Sequence, residues 1–255
     1  MTLKLECDGK WLSADEIVDY VKAYKREVES ESTSRYYELI KIVPRNKRGL
    51  DYGCGWGAFA MMMTEKGNKI VGQDIDSNEV EIASYVWGES SSLTFTSKEI
   101  SQFNAEEFDF VTSCQVIEHT HNPGTYLHNI NRVLPLGGEL IISVPNIINP
   151  RYMLPLMNKN LKVNILALSK KINSNYFKPR DHIQGWDPVH FTRLLASVGF
   201  EVVDYMPTEG VPLPRKIGPL KLPANIFPSS RLKQFSYTMV FKAKKIRVSE
   251  IGPND

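Results

Sequence analysis

The stretch RGLDYGCGWGAFA, residues 48–60, decides the fold: an apolar run ending in Asp51 is followed by glycines at 53, 55 and 57, and then by an unbroken apolar stretch. A strand that turns through glycines into a helix is a binding device, because the first helical turn offers unpaired N–H groups and the positive end of a dipole. Gly53, Gly55 and Gly57 let a ligand reach main chain and allow the backbone angles of a tight turn. Attraction of an anion to an exposed helix start is worth only about 0.3–1 kcal/mol, so the loop positions a ligand more than it binds one. Two acids narrow the ligand further. Asp51 stands two residues before the first glycine, where a carboxylate repels a pyrophosphate and suits an ammonium. The next strand, KIVGQDID at 69–76, delivers Asp74 at its C-terminal end, where a carboxylate can accept both hydroxyls of a ribose. The spacing G-x-G-x-G also lacks the last two-residue gap of the dinucleotide fingerprint.

Outward from this loop, short apolar runs alternate with helical stretches, the pattern of parallel βαβ units. Strands are predicted at 48–53, 69–74, 93–96, 108–114, 139–145, 201–206 and 236–244, with helices at 57–66, 77–87, 122–134 and 187–198. Residues 13–43 read as two helices ahead of the core, the first opened by Ser13 with Glu16 three residues on, a capping-box spacing. The rhythm breaks at 147–185. Residues 151–180 hold seven Lys/Arg and no acid, and Leu161, Ile165, Leu168 and Ile172 share one helical face. A Pro-rich, acid-free segment at 211–233 forms a stiff excursion before the last strand. The expected organisation is an N-terminal helical lid (1–47), a core (48–146 and 187–246) and a basic insertion (147–186).

The chain has 255 residues, 42% apolar and 24% charged, enough for one α/β core with additions. No apolar run approaches the roughly 20 residues of a membrane span, and the N-terminus lacks a signal-peptide layout, so a cytoplasmic protein is expected. Cys7, Cys54 and Cys114 are odd in number and without metal-ligand spacing; reduced thiols are expected, and no metal. Residues 1–150 carry 14 Lys+Arg against 22 Asp+Glu, whereas 151–255 carry 17 against 7, so a basic part follows an acidic one.

The motifs LDYGCGWG, VGQDID, FDFVTSCQVIEH, LPLGGELIISVPN and LLASVGFEVV stand in the order and at the approximate spacings of another family's signature. In this the chain resembles the class I S-adenosylmethionine-dependent methyltransferases over residues 48–146 and 187–206. It is most similar to the branch that includes ubiquinone-biosynthesis O-methyltransferases and small-molecule and sugar methyltransferases, which share the "EH" after the fourth strand and the "VPN" closing the fifth. The resemblance implies a Rossmann-like seven-stranded, mostly parallel α/β sheet with an antiparallel last strand and helices on both faces. It also implies S-adenosylmethionine as cofactor, leaving as S-adenosylhomocysteine. Carried over by position, Asp51, Gly53, Cys54 and Gly55 would face the methionine half, Asp74 the ribose and Ile75 the adenine. Glu99 is the nearest candidate for the adenine amine, and Cys114 and Gln115 end the fourth strand under the sulfonium. From the N-terminal helices, Arg35 would approach the cofactor carboxylate and Tyr36 or Tyr37 the ribose.

A sulfonium methyl is already activated, so such an enzyme supplies alignment, worth roughly 7–11 kcal/mol, and a base where the acceptor is a hydroxyl. Histidine is the usual base near neutral pH. His119, after the fourth strand, and His182, at the end of the basic insertion, are the catalytic candidates, ahead of His190; His121 and His128 read as surface or helix residues. Arg151, Tyr152, Tyr176, Phe177, Lys178, Arg180 and Trp186 suit a small anionic acceptor or a peripheral membrane contact. Nucleic acid is disfavoured by the small net charge of +2 and by the absence of base-methyltransferase signatures. A nicotinamide-dependent oxidoreductase and a non-catalytic cofactor-binding module are the competing readings.

Overall fold

The architecture was read from a computed structural model of the chain. It describes residues 3–7, 9–31, 34–156, 160–169, 182–212, 216–217, 220–221, 223, 225–227 and 231–250. A small ribbon, β1 (Glu6–Cys7) with β2 (Lys10–Trp11), leads into α1 (Ala14–Ser30) and α2 (Arg35–Ile42). The expected capping box closes α1: Ser13 Oγ accepts from the Glu16 N–H, and the Glu16 carboxylate accepts from the Ser13 N–H at 2.8 Å. There follow β3 (Arg48–Tyr52), α3 (Ala58–Glu65), β4 (Lys69–Gln73), α4 (Ser77–Trp87), β5 (Leu93–Thr96), β6 (Phe110–Cys114), α5 (Pro123–Val133) and β7 (Glu139–Pro145). Two helices of the insertion, α6 (Pro150–Leu156) and α7 (Leu161–Ser169), precede α8 (Pro188–Ser197) and β8 (Phe200–Thr208). The Pro-rich excursion holds two short ribbons: β9 (Val211–Pro212) pairs with β12 (Asn225–Ile226), and β10 (Lys216–Ile217) with β11 (Leu220–Lys221). β13 (Thr238–Lys245) is the last strand.

Seven strands form one sheet in the order β5-β4-β3-β6-β7-β13-β8. β5, β4, β3, β6 and β7 pair in parallel, and β13 runs antiparallel between β7 and β8, as the resemblance implies. Successive strand residues face opposite sides, so each central strand feeds two cores. Val111, Leu140, Ile142 and Phe241 pack under α5 and α8, whereas Phe110, Ile141 and Val240 pack under α2 and α3 with Leu39, Phe59 and Met63.

The N-terminal helices are tied down at the glycine loop. The α1 residues Tyr20 and Tyr24 set their rings edge-on to Trp56, at centroid distances of 5.7 and 5.9 Å. The Trp56 carbonyl accepts from Trp87 Nε1 at 2.7 Å. In the insertion, Val163, Ile165 and Leu166 of α7 are all more than half exposed, and of the expected apolar face only Leu161 and Ile165 have described side chains. Ile172, Lys170, Lys171, Tyr176, Phe177, Lys178 and Arg180 lie outside the described residues. The chain is anchored again where Ile183 and Gln184 donate their N–H groups to the Glu118 carbonyl, and Trp186 bridges to Asn146 beside β7. Buried Asn146 secures this corner by donating through Nδ2 to the carbonyls of Gln234 and Ser236.

Candidate active site

The glycine loop lies at the C-terminal ends of β3, β4 and β6, the edge where open α/β sheets bind ligands. Gly53 and Cys54 both donate their N–H groups to the Gln73 carbonyl, at 2.8 and 2.9 Å, which pins the loop to the end of β4. Gly53 has φ +81° and no room for a side chain: a Cβ there would meet Val116 Cγ2 at 2.4 Å. At Gly55, φ +50°, the nearest atom to such a Cβ is Glu79 Oε2 at 4.0 Å, so the backbone is open to a ligand.

The two acids of the sequence reading flank this loop in different states. Asp74 is half-buried and accepts from the Gly55 N–H at 2.9 Å and the Asp76 N–H at 3.0 Å, so it shapes the loop as well as facing the site. Asp51 is only 2% exposed and accepts from Thr112 Oγ1 at 2.7 Å. Burial pushes its carboxyl up to about 7, with the charge of Asp74 adding to the rise and Thr112 opposing it. A buried carboxyl poised near neutrality beside an open backbone is what an incoming ammonium would ionise. Ile75 stands 87% exposed at the end of β4, an apolar surface free for a ring to cover. Glu99 stands at the N-terminal boundary of the short 3-10 turn Ile100–Gln102, makes no side-chain cap bond to it, and accepts from Ser101 Oγ at 3.3 Å.

Burial pushes the thiols of Cys54, in the glycine loop, and Cys114, at the end of β6, well above their ordinary value, which disfavours the nucleophilic thiolate at both. Gln115 adopts φ +57°, and its buried Nε2 has no hydrogen-bond partner among the described residues. A ligand atom is one partner that such an orphaned donor could take. These features fit S-adenosylmethionine: an acid for its ammonium, bare main chain, an acid for its ribose, an apolar cover for its adenine. Tyr36 enters from α2, its ring 5.1 Å from Phe59, and burial pushes its hydroxyl well above its ordinary value. Tyr37 instead carries the Lys41 ammonium 3.9 Å above its ring. Arg35 pairs with Glu209 beyond β8 at 2.8 Å, while its charge still reaches Cys114 and Glu118.

The histidines separate clearly. His119 and His182 come together, ring centroids 5.0 Å apart, although 62 residues of chain lie between them. His182 Nδ1 lies 3.4 Å from the Tyr152 hydroxyl, and its Nε2 lies 4.0 Å from Glu118 Oε1. His190 is a helix-start residue paired with the Asp187 cap at 2.5 Å, His121 is exposed, and His128 sits on α5. Sequence reasoning missed Glu118, which is fully buried, with burial pushing its carboxyl up to about 7. Its sequence signal was its place in the "EH" after the fourth strand, where the reading took only His119 as a site residue. It also missed a cavity of about 410 Å³ lined by Tyr24, Arg35, Tyr36, Arg151, Glu209 and Tyr237, between the N-terminal helices and the insertion.

Residues 24–205 match the methyltransferase domain family. The chain is 31% identical to an uncharacterised protein of Methanocaldococcus jannaschii, over 75% of this chain and 76% of that one. It is 22% identical to the ubiquinone biosynthesis O-methyltransferase of Coxiella burnetii, over 62% of this chain and 69% of that enzyme. Among solved structures, the methyltransferase in complex with the Trm112 activator of Haloferax volcanii superposes with a TM-score of 0.60 at 14% identity, covering 91% of this chain and 98% of that one. Magnesium protoporphyrin IX methyltransferase of Synechocystis, solved with S-adenosylhomocysteine, does so with a TM-score of 0.51 at 17% identity, covering 94% and 90%. With its family match spanning most of the chain, over a sheet of this order and a loop of this chemistry, the protein belongs to the methyltransferase domain family and is an S-adenosylmethionine-dependent enzyme.

Proposed function

We propose that this enzyme methylates an oxygen of a small metabolite, or of a sugar, glycan or lipid-linked precursor, held between the N-terminal helices and the basic insertion. The observation that carries the reading is a continuous path of side chains from cavity to rim. Arg151 lies over the Tyr237 ring at 5.7 Å, Tyr237 stacks with Tyr152 at 6.3 Å, and Tyr152 reaches His182 beside Glu118 and His119. A cavity of about 410 Å³ suits a small acceptor. Arg35 is already paired with Glu209, which leaves Arg151 as the cation of the cavity that would take an anionic group of the acceptor.

In this reading Asp51 and the bare Gly53–Gly55 backbone hold the methionine half of the cofactor, Asp74 the ribose and Ile75 the adenine; Cys114 and Gln115 lie beneath the reacting centre. The bound cofactor supplies a methyl group already activated as a sulfonium. The chain's own work is to exclude water, align the acceptor oxygen and remove its proton at the Glu118–His119–His182 cluster. Titration calorimetry with S-adenosylhomocysteine tests the cofactor half: wild type binds, and Asp74→Ala weakens binding at least about tenfold through the lost hydroxyl contacts and loop anchor. Absence of binding to folded wild type overturns it. The acceptor half is tested by radiolabelled methyl transfer to hydroxyl-bearing anionic compounds and their uncharged analogues. A preference for uncharged amines would overturn it.

A further inference from the structure

We infer that Glu118, His119 and His182 form a binding site for one divalent transition-metal cation, open toward the acceptor; the inference deepens the O-methylation reading and rests on it for the role of the ion. The three residues each present a donor atom, and all these atoms lie within 4.8 Å of one another. Donors that far apart place a central cation within about 2.8 Å of each, against about 2.1 Å in a formed site, so closure asks for movements of under roughly an ångström. Glu118 Oε1 and His182 Nε2, 4.0 Å apart, are too far for a hydrogen bond and suitably spaced to share an ion.

Glu118 supplies the second, independent observation. It is fully buried, and neither carboxylate oxygen has a hydrogen-bond partner among the described residues. Burying a carboxylate without such partners costs several kcal/mol, and a directly bound cation offsets that cost. The surrounding chain also holds the donors in place. Ile183 and Gln184 donate to the Glu118 carbonyl at 2.9 and 3.0 Å, locking the segment that carries His182 onto the segment that carries Glu118. Tyr152 lies beside the other nitrogen of His182, in the orienting place that metal-bound histidines require.

Two imidazoles and one carboxylate select zinc, cobalt, manganese or ferrous iron over magnesium or calcium, which prefer all-oxygen shells. Three protein ligands leave at least one position open. An acceptor hydroxyl bound there has its pKa lowered, and its proton leaves to solvent water. With the ion in place both imidazoles are ligands, and the cluster removes the proton through the ion instead of through a histidine base.

The test uses the full chain, stripped with a chelator that is then removed, and titrated with cobalt(II) while visible absorption is followed. The expected result is one cobalt per chain with the bands of a low-coordinate nitrogen–oxygen site. Glu118→Gln or His182→Ala should weaken it at least about thirtyfold, and exposed His121→Ala should leave it unchanged. If Glu118→Gln does not fold, His182→Ala gives the same readout from a residue at the rim. Folding is judged by circular dichroism and by S-adenosylhomocysteine binding, neither of which needs the ion. Failure to bind cobalt, or equal binding by the variants, overturns the inference, while failure to bind S-adenosylhomocysteine strikes the methyltransferase reading separately.

Discussion

Gly53 and Gly55 stand two residues apart in one loop, both with positive φ, yet alanine should act on them through different physics. At Gly53 the added Cβ meets Val116 Cγ2 at 2.4 Å and Cγ1 at 3.0 Å. The strained backbone costs about 1–2 kcal/mol and the overpacking about 1–3 kcal/mol, so Gly53→Ala loses about 2–5 kcal/mol of stability. For a chain of this size that is a fall in Tm of roughly 5–20 °C. At Gly55 only the backbone strain of about 1–2 kcal/mol applies, because the Cβ enters open space. That open space is where the cofactor is proposed to approach the main chain, so Gly55→Ala should keep most of its stability and lose S-adenosylhomocysteine affinity by tenfold or more. Denaturant melts and titration calorimetry on both variants separate the effects. A Gly53→Ala protein as stable as wild type would refute the packing argument, and a Gly55→Ala protein with unchanged affinity would refute the placement of the ligand.

Asp51 makes stability depend on pH. Its folded value of about 7 lies above the ordinary 3.8, so its contribution is full at low pH and is lost as pH rises from about 4 to 7, by up to about 4 kcal/mol. Asp51→Asn should reduce that slope in denaturant melts of the ligand-free protein at pH 5 and 8, leaving the part due to Glu118, which burial also pushes up to about 7; an unaltered slope would rule out Asp51 as a source. Because an ammonium favours the ionised form, S-adenosylhomocysteine binding near pH 6 should release a proton, seen as a dependence of the calorimetric heat on buffer ionisation enthalpy. Arg151→Ala should raise the acceptor KM several-fold with S-adenosylhomocysteine affinity intact, measured by initial rates once an acceptor is found; a fall in kcat alone would place Arg151 outside acceptor binding.

Much of the core was legible in the sequence because its signals are local. Alternating runs, capping residues and glycine turns act over a few positions, and all seven sheet strands appear within about two residues of their expected bounds. The capping box of Ser13 and the strand-end positions of Asp51 and Asp74 follow from the same short-range rules. The insertion is less legible: Leu161, Ile165, Leu168 and Ile172 share a face in sequence and Ile165 is exposed, since helical periodicity says which residues share a face and not what covers it.

The sequence by itself determined the doubly wound sheet, the glycine loop and the cofactor class, because each strand–turn–helix unit writes its geometry into adjacent residues. Only the tertiary structure decided that Arg35 pairs with Glu209, 174 positions away. It likewise decided that Asp51 is buried deeply enough to hold its proton near neutral pH, a matter of the atoms packed around it. The same holds for Glu118: its place in the "EH" motif is legible in the sequence, but that His182 lies within reach of it is decided by the tertiary structure alone. Charge state and donor sets depend on distance through space, and no local pattern in the chain encodes that distance.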